Sequence, residues 1–215
     1  MTKRRKLILA CIAAAVTALA VGAQFAGRNE NQLKAGAAFP LTHLQNIHGM
    51  EVVLPDPQSH WVHLQFRRFA GCPICNLHLH SFVTRHAEIE AAGIHEVVVF
   101  HSPKSSLLPF QGSFPFDVIG DPQKKLYRQF GVETSIYSIL NPGAWPAMFE
   151  GHALKDRPSG DPEGGPLGLP ADILIAPDGK VFASHYGKHA YDQWSVDELL
   201  AMVESTSSGI GAANR

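Results

Sequence analysis

The chain has 215 residues, of which 45% are hydrophobic and 17% are charged, and its formal net charge at pH 7 is −1. The length suits one domain with a substantial core rather than two, and the composition argues against a disordered chain. Nucleic acid and acidic membrane surfaces are disfavoured as partners because both require concentrated Lys and Arg, and no long basic run occurs after the first six residues.

The N-terminus has the pattern of a targeting segment. Four basic residues, Lys3 to Lys6, precede an apolar run, 7–21, in which Thr17 is the only polar interruption. Small residues up to Ala23 offer a cleavage site, and cleavage is the interpretation that we favour. Extended to Ala26, the same run also approaches the length of a membrane span. In either case the basic residues stay on the cytoplasmic side and the rest of the chain is exported.

These features predict the organisation of the chain and its location. We expect a periplasmic or otherwise extracytoplasmic domain that touches the membrane only through its N-terminal segment. The predicted boundaries are 1–27 for a signal peptide or membrane anchor, 28–38 for a linker, 39–204 for the domain and 205–215 for a disordered tail.

The exported part keeps two of the three cysteines. Cys11 lies in the targeting segment, whereas Cys72 and Cys75 are separated by two residues. Disulfides that staple a small fold join distant positions, because closing a tiny loop adds little by chain entropy. The pair therefore indicates redox chemistry or metal binding.

Strand and helix patterns alternate along the domain. A hairpin is predicted at 39–54 with its bend at His48–Gly49, and Pro177–Asp178–Gly179 joins the last two strands. The other predicted elements are strands at 61–66, 94–100, 116–119, 172–175 and 180–184, helices at 73–92, 121–130 and 133–140, a loop at 155–168, and a final helix with a Ser195–Glu198 capping box. This order predicts an α/β thioredoxin-like fold, with a central mixed β-sheet flanked by helices and an N-terminal β-hairpin extension.

The C-x-x-C pair lies where a predicted strand leads into a predicted helix. Pro73 suits the first helical position, so Cys72 should lie at the helix N-terminus, where free N–H groups and the helix dipole favour the thiolate. Arg67 and Arg68 precede it and can add positive charge. We expect Cys72 to be exposed and to attack, and the more buried Cys75 to resolve the mixed disulfide.

Two other interpretations of the pair remain open. The first is an inert structural disulfide. The second is an incomplete copper or zinc site made by Cys72, Cys75 and His78, to which His185 and His189 would add ligands from elsewhere. Redox chemistry is favoured, so we assign neither a metal nor a cofactor.

Five stretches between Gly36 and about Glu204 have a recognisable pattern: AGAAFPL, FRRFAGCPIC, FPFDVIGDPQKKLYRQFGV, GLPADILIAPDGKV and HYGKHAYDQWSVDELL. Together they resemble the AhpC/TSA group (alkyl hydroperoxide reductase and thiol-specific antioxidant), especially its peroxiredoxin-like branch with a C-P-x-C site.

The resemblance implies roles for individual residues. Cys72 matches the attacking cysteine, Cys75 the resolving cysteine, and Pro170 a cis proline that faces them. The chain departs from the family at Gln65 and Phe69, where typical peroxiredoxins have Pro and then Thr or Ser. The hydroxyl that orients a peroxide is therefore missing.

The resulting expectation is an exported thiol–disulfide oxidoreductase of peroxiredoxin-like type. Its predicted catalytic residues are Cys72, Cys75, Pro170 and Arg67. Its expected partners are protein or small-molecule disulfides or peroxides, together with an unknown thiol electron donor. The alternatives are a thiol peroxidase and a copper-handling assembly protein for respiratory oxidases, although the latter class has a C-x-x-x-C spacing, one residue longer than the spacing found here.

Overall fold

The computed structural model describes residues 29–153 and 162–212. The predicted signal peptide or anchor, 1–27, therefore lies outside the described residues, and so does the first position of the predicted linker. Within the described residues the strands are β1 (Thr42–Gln45), β2 (Glu51–Leu54), β3 (Trp61–Phe66), β4 (Ile94–Phe100), β5 (Asp117–Gly120), β6 (Ala171–Ile175) and β7 (Val181–Tyr186). The α-helices are α1 (Pro73–Thr84), α2 (His86–Ala91), α3 (Lys104–Gln111), α4 (Lys125–Gln129), α5 (Tyr137–Leu140), α6 (Trp145–Ala153) and α7 (Val196–Ala212), and 3-10 turns lie at Asn29–Asn31 and Pro142–Ala144.

The N-terminal hairpin is confirmed. β1 and β2 pair antiparallel as a separate two-stranded sheet. Asn46 closes the bend between them, because its Oδ1 accepts hydrogen bonds from the N–H groups of His48 and Met50, each at 2.9 Å. Gly49 has a φ of 91°, a left-handed conformation that glycine adopts at no steric cost.

The central sheet is mixed and has the order β5-β4-β3-β6-β7. β3 pairs parallel with β4, and β4 with β5, whereas β6 and β7 add antiparallel to the other side of β3. The central strands are almost entirely buried, as expected for strands covered by helices on both faces. β3 ends at Phe66, so the residues that follow emerge at the sheet edge from which α1 begins.

The predicted helix 73–92 is interrupted at Arg85, and the prediction of one continuous helix is wrong. Arg85 has φ −105° and ψ 16°, and separates α1 from α2. Its guanidinium bonds Glu88 at 2.7 Å and Asp197 on α7 at 2.6 Å, which ties the junction to the last helix. Gly93, with φ 72°, ends the segment as predicted.

The segment between β5 and β6 contains more helix than the sequence patterns indicated. The predicted helix 121–130 is reduced to α4, and only the end of 133–140 is helical, as α5. The 3-10 turn at Pro142–Ala144 and α6 were not predicted, and neither was α3, which lies between β4 and β5. Of the predicted loop, residues 154–161 lie outside the described part of the chain, and residues 162–168 form turns. We call residues 162–168 the strap.

The two ends of the domain are tied to it. Gly36, in the expected linker, donates a hydrogen bond to the Val181 carbonyl at 2.8 Å. The capping box of α7 is confirmed: the Ser195 N–H donates to Glu198 at 2.8 Å, and the Glu198 N–H donates to the Ser195 hydroxyl at 3.2 Å. α7 continues to Ala212, through most of the segment that we expected to be disordered. Over the residues that the structure covers, no helix is long and apolar enough to cross a membrane.

Candidate active site

Cys72 is the N-cap of α1, as the sequence predicts. Its backbone is extended (φ −69°, ψ 111°), and Pro73 takes the first helical position. The preceding loop is fixed by Asn76, whose Nδ2 donates to the carbonyls of Ala70 at 2.9 Å and Cys72 at 2.8 Å. The Cys75 N–H points at the Cys72 Sγ from 3.2 Å. The start of the helix therefore directs a donor at this sulfur.

Cys72 and Cys75 are joined by a disulfide, with their Cα atoms 5.3 Å apart. The two residues are 0% and 2% exposed. The expectation that Cys72 is exposed is wrong for this disulfide form. The physical reason is a cover of chain that comes from much later in the sequence.

The cover is α6, together with the 3-10 turn before it. Ala144 and Ala147 pack with Phe69, Ile74 and both cysteines in one buried apolar cluster. Small side chains on this face let the two helices approach closely.

The closest approach occurs at Gly151 on α6. A Cβ at Gly151 would lie 2.8 Å from the carbonyl oxygen of Pro73 and 2.9 Å from its carbonyl carbon. Only glycine fits against this backbone, so Gly151 determines how tightly α6 covers the start of α1.

Arg68 provides the positive charge at the disulfide. Its Nη2 lies 3.0 Å from the Cys72 Sγ, and its Nη1 donates to the Pro166 carbonyl on the strap at 2.8 Å. The side chain is 4% exposed, and burial lowers the pKa of Arg68 to about 10. The guanidinium therefore stays charged at neutral pH, 3.0 Å from a sulfur that becomes a thiolate on reduction.

Arg67, a predicted catalytic residue, points away from the cysteines. Its Nη2 forms an ion pair with Asp172 on β6 at 2.7 Å, and also contacts Gln65. His63 lies 3.3 Å from the same carboxylate and 2.9 Å from Glu96. All five side chains are buried.

This network favours the charged forms of Asp172 and His63. Burial opposes ionisation of Asp172, but the Arg67 guanidinium and His63 hold the pKa of Asp172 well below its usual range. Burial would likewise lower the pKa of His63, but the charges of Glu96 and Asp172 raise it to about 9. Arg67 therefore belongs to an internal charge network between β3, β4 and β6.

Strand alternation is the signal that separates the two arginines. In β3 and the residues after it, His63, Gln65 and Arg67 follow one another at every second position, so they share a face of the sheet. Arg68 falls on the other phase, with Phe66, and turns toward the site instead. This alternation in the sequence assigns Arg67 to the internal network and Arg68 to the site.

Pro170 lies just before β6 and is buried, but its expected cis bond is wrong. The only cis peptide bond among residues 29–153 and 162–212 joins Leu54 to Pro55. The Pro170 carbonyl accepts a hydrogen bond from the Gly187 N–H at 2.9 Å. Since Ala171 pairs with Phe66, Pro170 lies beside the end of β3, from which the active-site loop leaves the sheet.

The side chains at the two departures from the family pattern are both buried. Gln65 contacts Glu96 and Arg67 within the charge network. The Phe69 ring lies beneath the Arg68 guanidinium, 5.7 Å from its carbon, and contributes no hydroxyl.

A buried histidine that the sequence analysis did not single out lies next to Arg68. The His101 N–H donates to the Arg68 carbonyl at 2.9 Å, and its ring lies under Gly164 and Gly168 of the strap. Burial, with the charge of Lys124, lowers the pKa of His101 to about 4. The ring is therefore neutral at neutral pH.

The residues considered for a metal site have other partners. The ring of His78 uses its Nε2 to contact the Trp194 carbonyl at 2.8 Å, and that of His185 contacts Asp192 at 2.8 Å. Within the part of the chain that the structure describes, no group of three His, Cys, Asp or Glu side chains could hold a metal ion.

Comparisons with known proteins agree with this architecture. Residues 81–189 match the family described as AhpC/TSA antioxidant enzyme, a match that begins after the two cysteines. No curated protein matches significantly.

Three solved structures share the fold. Peroxidoxin BcpB from Mycobacterium tuberculosis is 18% identical with a TM-score of 0.57, covering 81% of this chain and 98% of its own. The reduced 2-Cys peroxiredoxin of Plasmodium vivax is 14% identical with a TM-score of 0.59, covering 82% and 98%. A mutant of peroxiredoxin 6 from Arenicola marina is 16% identical with a TM-score of 0.59, covering 81% and 74%. At these identities the likeness establishes the fold alone.

Proposed function

The chain belongs to the AhpC/TSA antioxidant enzyme family and is a thiol oxidoreductase, and we propose that it works as an exported thiol–disulfide oxidoreductase with Cys72 and Cys75 as its redox pair. The observation that carries the proposal is the surroundings of the Cys72 Sγ. The Arg68 guanidinium and the Cys75 N–H both point at this atom, from 3.0 Å and 3.2 Å.

These two donors support a division of roles between the cysteines. In the reduced protein they stabilise a thiolate on Cys72, and the thiolate is the nucleophile in disulfide exchange. Cys72 attacks one sulfur of a substrate disulfide, and the other substrate sulfur leaves as a thiolate. Cys75 then attacks the Cys72 sulfur of the mixed disulfide, which re-forms the Cys72–Cys75 bond and releases the second substrate thiol.

The proposed location follows from the N-terminal sequence alone. The basic residues Lys3 to Lys6 and the apolar run 7–21 have the pattern of an export signal or anchor. Outside the cytoplasm a protein disulfide persists, so protein or small-molecule disulfides are the substrates that we propose there, with a thiol of unknown identity as electron donor.

The experiment is a single turnover with a peptide disulfide. The purified reduced protein is mixed with the peptide disulfide, quenched with acid and alkylated, and its mass is measured. We expect the number of alkylated thiols to fall by two, and the variants Cys72→Ser and Cys75→Ser to lose the complete reaction. Two thiols that stay fully alkylated after excess peptide disulfide would contradict the proposal.

Thiol peroxidase activity is a second candidate, supported by the burial of both sulfurs. A hydroperoxide is small, and reaching a covered sulfur requires less rearrangement than docking a protein disulfide. Arg68 also supplies one donor for a bound peroxide, although Phe69 supplies none. Rapid mixing of the reduced protein with hydrogen peroxide, followed by Trp fluorescence, tests this candidate directly.

A further inference from the structure

Arg68 is a buried cation that forms no ion pair with a carboxylate of the described residues. Its Nη1 and Nη2 face the Pro166 carbonyl and the Cys72 sulfur, both of which are neutral in the disulfide form. Its Nε has no hydrogen-bond partner among the described residues. No ion pair within residues 29–153 and 162–212 involves this guanidinium, whereas Arg67 and Arg85 are paired with carboxylates.

A buried charge without a counter-ion is costly. In the disulfide form the two sulfurs do not offset this cost, because neither carries a charge. On reduction, Cys72 can become a thiolate 3.0 Å from the Arg68 Nη2, and the cation then gains its counter-ion. The reduced form is therefore stabilised relative to the disulfide form by the same residue.

We propose that Arg68 makes the Cys72–Cys75 bond an oxidising disulfide, so that the protein readily takes two electrons from reduced dithiols. A disulfide is a strong oxidant when its reduced form is stabilised. This inference rests on the proposed thiol–disulfide exchange and assigns its two sides: a dithiol is the electron donor that the protein oxidises, and the substrate disulfide of the exchange described above is the electron acceptor that re-forms the Cys72–Cys75 bond.

The Cys72–Cys75 disulfide oxidises a dithiol in two successive thiolate attacks. One thiolate of the dithiol attacks the Cys72 sulfur, the Cys72–Cys75 bond breaks, and Cys75 leaves and takes a proton. The second substrate thiolate attacks its own sulfur in the mixed disulfide, which forms the substrate disulfide and releases Cys72 as a thiolate. The dithiol loses two electrons and two protons. The protein gains both electrons and one proton, and the other proton goes to water.

One proton released to water makes the equilibrium depend on pH. When glutathione is the reductant, the equilibrium constant for reducing the Cys72–Cys75 disulfide should rise about tenfold per pH unit while Cys72 stays a thiolate. It should not depend on pH if both cysteines are ordinary thiols, since glutathione then supplies as many protons as the protein takes up.

The two buried histidines nearest the disulfide do not supply this dependence. Burial lowers the pKa of His78 on α1 to about 3 and that of His101 after β4 to about 4, so both are neutral between about pH 6 and pH 8. The other charged or titratable groups on the surrounding elements are Glu150 on α6, His189 and Tyr191 after β7, and Lys124 and Glu163 at the strap.

The test equilibrates the oxidised protein with glutathione buffers at several pH values. The variants are Arg68→Gln, Arg68→Lys as the conservative replacement, and Arg128→Gln as a control that removes an exposed cation elsewhere in the domain. We expect Arg68→Gln to shift the equilibrium toward the disulfide about tenfold, which is about 30 mV. Arg68→Lys keeps the positive charge, so its equilibrium should stay close to that of the native protein. Arg128→Gln should behave as the native protein does.

The outcomes separate this inference from the proposed function. A protein that does not exchange with glutathione at all would overturn the proposed function, and the inference with it. A protein that exchanges, but with an equilibrium that Arg68→Gln leaves unchanged, overturns the inference alone. If Arg68→Gln does not fold, the pH dependence of the native protein is the test. An equilibrium constant with glutathione that is independent of pH overturns the inference, and a tenfold rise per pH unit supports it.

Discussion

The Arg67 Nη2 and the Asp172 Oδ1 form a 2.7 Å ion pair inside the sheet, with both side chains buried. The next residue, Arg68, directs its guanidinium at Cys72. Two consecutive arginines thus differ in their electrostatic state: the first has a carboxylate, and the second faces a sulfur whose charge changes with its oxidation state. Arg67 should therefore affect mainly the stability of the protein, and Arg68 mainly the reactivity of Cys72.

Asp172→Asn should destabilise the protein strongly. It leaves the Arg67 and His63 cations with one carboxylate fewer in a buried network, and breaking such a pair costs about 3–5 kcal/mol. Urea unfolding at neutral pH measures the change. The control is Asp178→Asn in the exposed β6–β7 turn, which should unfold as the native protein does. A loss from Asp172→Asn no larger than that of the control would show that the network does not contribute to stability.

Gly151→Ala should make the disulfide easier to reach. The added Cβ would meet the Pro73 backbone at 2.8 Å, and backbone atoms there cannot move aside without displacing α6. We expect an overpacking cost of about 1–3 kcal/mol and a several-fold faster reduction of the oxidised protein by dithiothreitol. Glu150→Ala, on the exposed face of the same helix, is the control. Identical reduction rates for both variants and the native protein would mean that α6 does not limit access.

His95 should make stability depend on pH through two aspartates. Its Nδ1 lies 3.3 Å from Asp56 and its Nε2 lies 2.8 Å from Asp117, and only an imidazolium can donate from both nitrogens. The hydrogen bond to Asp117 raises the pKa of His95 despite burial. Burial opposes ionisation of the two aspartates, but their histidine contacts, with further hydrogen bonds, lower the pKa of each.

The signs define a pH window. The contribution of His95, whose folded-state pKa is raised, is complete below its unfolded value of about 6.5 and is lost as pH rises through the folded value. The contribution of the aspartates is lost as pH falls below about 3.8 toward their lowered values. His95→Gln should therefore destabilise most at about pH 5 and less at about pH 8 in urea unfolding. Gln129→Ala, which removes an exposed side chain that does not titrate, is the control and should change stability equally at both pH values. A loss that is the same at both pH values would contradict this interpretation.

The parts of the fold that the sequence predicted well have strong local patterns. β3 and β4 have the predicted bounds, because each is a nearly continuous buried run between a turn and a loop. The Ser195–Glu198 capping box fixes the start of α7 through contacts three residues apart. Cys72 at the start of α1 follows from the adjacent Pro73 in the same way.

The features that the sequence analysis missed depend on distant contacts. α6 is short, and its role depends on Gly151 meeting Pro73, which is far away in sequence. The burial of Cys72 follows from that contact, and no pattern near the cysteines indicates it. The trans bond before Pro170 contradicts what the family resemblance implied, since sequence around a proline does not by itself specify the isomer.

In the reduced protein, Cys72 should react with a limiting alkylating agent before Cys75. The Cys72 sulfur has the Arg68 and Cys75 N–H donors, which favour its thiolate. Peptide mapping after partial alkylation measures the order. Cys75→Ser should trap a mixed disulfide in which Cys72 has attacked a partner disulfide and the other partner sulfur has left as a thiolate, and the matched Cys72→Ser should not. A faster Cys75 would reverse the roles that we assign.

The last prediction compares hydrogen peroxide with a disulfide as oxidant. A peroxide must be held and polarised while its O–O bond breaks, and preorganised donors at that position supply much of the rate. Arg68 offers one donor at Cys72, whereas Phe69 places a ring where the family has a hydroxyl. Disulfide exchange requires a thiolate, access and a resolving thiol. We therefore expect the reduced protein to react more readily with a peptide disulfide than with hydrogen peroxide at equal concentration.

Phe69→Thr should change this preference, and Phe69→Val separates the two effects of the substitution. Both variants remove the buried ring, but only Thr adds a hydroxyl. If the missing hydroxyl limits the peroxide reaction, stopped-flow oxidation of Phe69→Thr by hydrogen peroxide should be about tenfold or more faster than that of Phe69→Val, in the range that a positioned donor contributes. Their rates with the peptide disulfide should be alike, because exchange does not use the hydroxyl. Equal peroxide rates in the two variants, or a native peroxide rate far above the exchange rate, would show that another donor already completes the site, and peroxidase would then become the preferred function.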